Sequence, residues 1–191
     1  MPPCFGVAWW SGLLTVGMVK LLCSLSVSSA GSVTNLYFME EANMELDKAM
    51  LVEIFKKRTA GERLPLLTLS EFFSNNTEEE SIAPNQWGFG RPTLIEIWEH
   101  LRKVEERDDV AWVRVVLHPD TEVGEHDGEM VYELAGDSIA ICTTARPSDI
   151  ELTANCEYLC SDGVTSSFEP KWYTEIPTTP EGYQILSLWW D

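Results

Sequence analysis

Apolar and polar residues recur at two different periods along this chain, and the change of period marks out its elements. In "RPTLIEIWEHLRKVEERDD" the residues Leu94, Ile97, Trp98, Leu101 and Val104 return at three- and four-residue spacing, which predicts an amphipathic helix with one buried stripe. Thr93 and Glu96 before that stripe have the T-x-x-E spacing of a capping box. On the outer side, Glu99 with Lys103 and Arg102 with Glu106 stand at i, i+4, each pair worth about 0.2–0.5 kcal/mol. The same period in "MELDKAMLVEIFKKR" puts Leu46, Met50 and Ile54 on a stripe with Leu51 and Phe55 at its edge. Lys56, Lys57 and Arg58 there complement the negative end of a helix dipole. "LPLLTLSEFF" is an apolar patch with a short helix from Ser70. "PSDIELTANCEYLCSDG" predicts a further helix, capped by Ser148 with Glu151 and ended at Gly163.

Strict alternation marks the strands. "VAWVRVVL", residues 110–117, sets Ala111, Val113, Val115 and Leu117 against Val110, Trp112, Arg114 and Val116. "EMVYEL" and "SIAICTT" alternate on either side of "AGD" and are expected to pair as a hairpin. In "GYQILSLWWD", Tyr183, Ile185, Ser187 and Trp189 alternate with Gln184, Leu186, Leu188 and Trp190 as a last strand. "SNNTEEESIAPNQWGFG" and "HPDTEVGEHDG" read as loops. The order of helix, three strands, helix and strand predicts an α+β fold: an antiparallel sheet of about four strands with helices packed on one face. The expected organisation is an apolar N-terminal extension over 1–43, a helical lead-in and surface loop over 44–84, and the α+β domain over 85–191.

The stretch from 5 to 30 admits three readings: a secretory signal, a membrane anchor, or sequence ahead of a true start at Met39 or Met44. No Lys or Arg precedes Lys20, and Lys20 interrupts the apolar run, so the third reading is preferred. Five cysteines without a CxxC pair or a regular framework suit free thiols in a reducing compartment, and the expected location is cytoplasmic. The alternative is a secreted or membrane-attached protein held through residues 5–30.

Charge changes the picture most. The 191 residues carry 13 Lys and Arg against 31 Asp and Glu, a net charge of -18. From Asp108 onward 17 carboxylates face only Arg114, Arg146 and Lys171. Such a field repels phosphate backbones and anionic membranes and favours basic partners. Helix, three strands, helix is also the order of double-stranded RNA-binding domains, but residues 148–161 contain no Lys or Arg. Nucleic acid is therefore rejected as a partner.

Two stretches carry candidate chemistry. "NQWGFGRPTLIE" lacks the third glycine of a dinucleotide loop and the lysine of a P-loop. Its glycines, Pro92, Trp87 and Phe89 suit a packed chain reversal. The functional alternative is that Trp87, Phe89 and Arg91 anchor a partner. "HPDTEVGEHDGE" offers His118, Asp120, Glu122, Glu125, His126, Asp127 and Glu129, without the spacing of an EF-hand or an HExxH helix. A solvated acidic loop is expected, with no metal and no cofactor. No GxSxG occurs, and Cys142 falls within a strand as a buried thiol.

These features favour a non-enzymatic acidic α+β protein that binds a basic protein. Its contact surface would be the loop residues Asp120, Glu122, Glu125, Asp127 and Glu129. Trp87, Phe89, Arg91 and Trp112 are candidate anchors, with Arg114, Trp172 or Trp190 beside them. In size and charge the chain is similar to the bacterial immunity proteins that neutralise basic toxins, a resemblance of composition that transfers no residue. The alternative is an enzyme with a carboxylate-lined, metal-binding cleft that gathers His118 or His126.

Overall fold

Two eight-residue strands rich in β-branched residues, β2 (Val110–Leu117) and β5 (Gly136–Thr143), pair antiparallel at the centre of the protein. The computed structural model describes residues 48–191. The extension over 1–43, its proposed starts at Met39 and Met44, and Leu46 lie outside them. Ahead of the central pair come α1 (residues 48–58), β1 (Leu64–Pro65), α2 (Leu69–Phe73) and α3 (Leu94–Glu105). Between β2 and β5 lie β3 (Glu122–His126) and β4 (Glu129–Glu133). After β5 follow α4 (Pro147–Ala154), β6 (Gly163–Thr165), β7 (Tyr173–Thr174) and β8 (Gln184–Trp189).

The main sheet has the order β2-β5-β8-β6 with every neighbour antiparallel, and the α-helices cover one face, so the fold is α+β. Along β2 the side chains of Val113, Val115 and Leu117 enter the helix-side core, whereas Trp112 and Val116 enter a second cluster on the opposite face. β8 divides in the same way: Leu186 and Leu188 face the helices, and Ile185 faces away. From α3 the helix side receives Leu94, Ile97, Leu101 and Val104, while Trp98 stacks on Phe73 with ring centroids 6.1 Å apart. Phe55, Leu67, Leu69, Phe72 and Ile82 join the same core, which is continuous across residue 84. Leu67 also exchanges two backbone hydrogen bonds with Val115, of 2.8 and 3.1 Å, and so covers part of the free edge of β2.

The capping box at α3 is formed: the Glu96 carboxylate accepts from the Thr93 backbone N–H at 2.9 Å and from its hydroxyl at 2.6 Å. Of the two surface pairs expected on α3, Arg102 with Glu106 is present at 3.4 Å.

Several expectations are corrected by local physics. "EMVYEL" does not pair with "SIAICTT"; β4 pairs with β3, and β5 pairs with β2 and β8. α4 is not capped at Ser148, because Pro147 occupies its first position. It stops at Ala154, where Asn155 turns left-handed at φ 59°, well before Gly163. Glu151 instead accepts the backbone N–H of Val164 at 3.1 Å, tying α4 to β6. α2 begins one residue earlier than expected, with Thr68 as its cap and Glu71 completing a second capping box. On α1 the buried residues are Val52 and Phe55, while Met50 is 54% exposed. A register shift between Val110 and Trp112 leaves Ala111 outside the alternation of β2.

Candidate functional site

The acidic stretch between β2 and β5 is a two-stranded ribbon. Glu122 to His126 pairs antiparallel with Glu129 to Glu133, and Asp127-Gly128 makes the turn with φ of 52° and 86°. Two positive φ values in a two-residue connection give the twist that hairpin strands need, and Asp-Gly is a preferred sequence for it. The ribbon's root is fixed to the sheet. His118 donates its backbone N–H to the Ala135 carbonyl at 2.8 Å, and the Thr121 hydroxyl bonds both polar backbone groups of Ala135 at 3.1 Å.

Cross-strand register decides which side chains share a face. Val123 opposes Tyr132 and Glu125 opposes Met130 on the side that leans inward, where Val123 packs against the core and Lys48 lies 5.2 Å from the Tyr132 ring. On the other side Glu122 stands opposite Glu133, and His126 opposite Glu129, with Gly124 and Val131 between. Glu122, Glu125, Asp127, Glu129 and Glu133 are all exposed. Among the described residues no ion pair involves any of them. Asp120 is exposed at the root. Its backbone N–H lies 3.2 Å from His118 Nδ1, and its carboxylate lies 3.3 Å from the same nitrogen.

The second candidate stretch, residues 84–91, is a latch over the start of α3. Gly88 and Gly90 adopt φ of 82° and 115°, the chain reversal expected from them. Phe89 does not pack inward: it is 85% exposed. Arg91 goes the other way, with a fully buried guanidinium that donates to the Glu79 carbonyl at 2.6 Å and its carboxylate at 3.1 Å. Glu79 also accepts the first-turn N–H of Leu94 at 2.9 Å, and the half-buried Trp87 ring lies 4.7 Å from the guanidinium. Burial lowers the Arg91 pKa, against the opposing pull of Glu79. Arg91 thus holds the loop and offers no surface to a partner.

The remaining anchors divide. Trp112 is 7% exposed at the opposite end of the sheet, its indole N–H donating to the Thr178 carbonyl at 3.2 Å. Trp190 is buried and donates to the Leu159 carbonyl at 2.9 Å. Arg114 is partly buried, and burial lowers its pKa. Trp172 is 58% exposed. Phe89 and the ribbon share one end of the molecule, since Ile82 bridges to Gly136 at the start of β5 and Gln86 donates to the Asp191 carbonyl at 3.1 Å.

Two cavities of about 300 Å³ each lie near this end. One runs between α1, the segment after α2 and β4, with Leu51, Ile54, Phe72, Tyr132 and Leu134 among its walls. The other lies on the helix-free face against Ser138, Phe168, Tyr173 and Trp189. Neither is lined by His118 or His126, the residues an acid–base cleft was expected to gather. Among the described residues no three His, Cys, Asp or Glu side chains are grouped to hold a metal ion. Cys142 and Cys156 are buried thiols with pKa values pushed up by that burial.

Residues 47–188 match the family described as the uncharacterized protein YfbO family. The chain belongs to that family. Neither a curated protein nor a solved structure matches it.

In this YfbO-family chain the matched span takes in the ribbon, the latch and most of both cavity walls. No helix among the described residues is long and apolar enough to cross a membrane. The sequence pattern marks the ribbon's second strand, "EMVYE", but not its first, although Asp127-Gly128 between "EVGEH" and "EMVYE" is a hairpin signal. The helix-free cavity had no such signal, because its walls come from separate strands and a loop.

Proposed function

We propose that this chain is a non-enzymatic, cytoplasmic binding protein whose acidic ribbon docks on a basic protein, in the manner of immunity proteins. The observation that supports this most is the ribbon's outer face. Glu122 and Glu133 oppose each other directly, and neither they nor Glu129 have an ion-paired cation among the described residues. Like charges across a strand pair destabilise it, so the arrangement costs the free protein and is relieved when a cation covers it. Such a surface steers encounter with a positive partner and acts chiefly on the association rate. The exposed ring of Phe89 at the same end adds an apolar contact of the kind found at interface centres.

The test is isolation at low salt from the native source, followed by kinetics on whatever protein is retained. The expected partner is basic, and its association should slow steeply between low and physiological salt as screening shortens to about 8 Å. Reversing Glu122, Glu129 and Glu133 to Lys should cut the association rate by roughly tenfold or more. A neutral or acidic partner, a co-purifying nucleic acid, or indifference to these reversals overturns the proposal.

A further inference from the structure

The helix-free face carries the cavity that sequence reasoning did not reveal. Phe168 and Tyr173 stack with ring centroids 5.6 Å apart and an interplanar angle of 17°, forming one wall, and Trp189 and Trp172 add two indoles. Asp137 and Glu169 also line it, and none of its lining residues is Lys, Arg or His. Among the described residues the Asp137 carboxylate accepts one hydrogen bond, from the neighbouring Ser138 hydroxyl at 3.3 Å, and no ion pair reaches it. The Tyr173 phenol has its pKa raised, first by burial and then by the charge of Asp137, so that carboxylate acts on the aromatic wall.

The chain itself shows what such a lining attracts. The Lys171 ammonium sits 2.9 Å from Glu169 Oε2 and 5.1 Å from the centre of the Trp172 ring, held by two of the cavity's own residues. Aromatic faces carry negative potential, and a cation placed over them beside a carboxylate is stabilised by both. Asp137, Phe168, Tyr173 and Trp189 bring a carboxylate and aromatic rings together in the same cavity, and no Lys or Arg among the described residues lines it. An anionic ligand is disfavoured by the same groups.

We infer that this cavity receives one basic side chain, a guanidinium or alkylammonium, presented by the protein partner. The inference rests on the reading of a basic partner and adds a second contact to the ribbon. The cavity opens near the ribbon's root, because Val116 and Ser138, which line it, pair one step from Leu117 and Gly136. The ribbon supplies long-range attraction, and the cavity selects a side chain of fitting shape.

The experiment titrates the full chain with acetyl-arginine methylamide, its neutral isostere acetyl-citrulline methylamide, and agmatine, following tryptophan fluorescence and amide shifts. Millimolar binding of the arginine probe is expected, with shifts centred on Asp137 and Trp189 and at least tenfold preference over the citrulline probe. Asp137→Asn should weaken it roughly three- to tenfold. Asp137 is exposed, and unchanged dispersion of the remaining amide signals verifies that the variant is folded. Reversing the ribbon glutamates should leave this titration nearly unchanged. Equal binding of the two acetylated probes, absence of binding, or a much stronger response to agmatine than to the peptide-like probe overturns the assignment. If a salt-sensitive, ribbon-dependent basic partner is found while the probe does not bind, the cavity assignment alone fails. If the probe binds and no basic partner exists, the proposed function fails and the cavity remains.

Discussion

Asp109 joins three elements through one side chain and one carbonyl. Its carboxylate takes two hydrogen bonds from Arg107, of 2.7 and 2.8 Å, while its carbonyl accepts from the Thr143 hydroxyl at 2.7 Å and the Thr144 N–H at 3.0 Å. Arg107 in turn donates to the Thr153 hydroxyl of α4 at 2.6 Å. The hydrogen bonds from Arg107 hold the Asp109 carboxyl below the usual Asp range. A depressed folded-state pKa means that the unfolded chain binds the proton more readily. The contribution is therefore present above the unfolded value of about 3.9 and lost as pH falls through the lower folded value. Asp109→Asn should lower stability at neutral pH, and urea midpoints recorded from pH 6 to pH 2.5 should fall less steeply than in the parent. Glu79 shows the same economy, with one carboxylate serving Arg91 and the first turn of α3.

At the level of elements, the ribbon depends on its turn. Gly128 sits at φ 86°, a conformation that a β-branched residue adopts only with strain. Gly128→Val should open the ribbon locally. Amide exchange at residues 122–133 should accelerate markedly, while protection in β5 and β8 stays near that of the parent. The helical stripe of α3, the alternation of β2 and β8, and the fold class were legible from spacing, because α3 buries one stripe and successive residues of each strand point to opposite faces of the sheet. Only the second strand of the ribbon was legible, from the alternation of "EMVYE"; the first, "EVGEH", has the polar composition of a loop. The hairpin expected across "AGD" failed because β5, apolar on both faces, belongs at the centre of the sheet, whereas β4 is polar on one side. Arg91 was expected at the surface as a binding residue; nothing in its local sequence announced that Glu79, twelve positions earlier, would neutralise it indoors.

On the scale of the whole molecule, β2 and β5 are antiparallel neighbours, and the ribbon occupies the place of the connection between them. His118 and Ala135 already meet at its base through a 2.8 Å backbone hydrogen bond. Replacing residues 119–134 by Asn-Gly should close β2 onto β5 as a two-residue hairpin. The shortened protein is expected to keep its four-stranded sheet by circular dichroism and a cooperative melt. The stability lost should come from the contacts that Val123 and Leu134 make with the core, the Thr121 hydrogen bonds to Ala135 and the Lys48–Tyr132 contact. It should no longer retain a basic partner at low salt. Loss of cooperative folding would show that the ribbon is part of the framework.

That placement has a consequence for how such a protein changes over generations. An arm joined to the body at two adjacent points can lengthen, shorten or trade its charges while the packing beneath it stays as it was. Lineages can then acquire new interlocutors by editing the exposed positions within residues 119–134, leaving Thr121, Val123 and Leu134 in place, without first finding compensating changes in the interior.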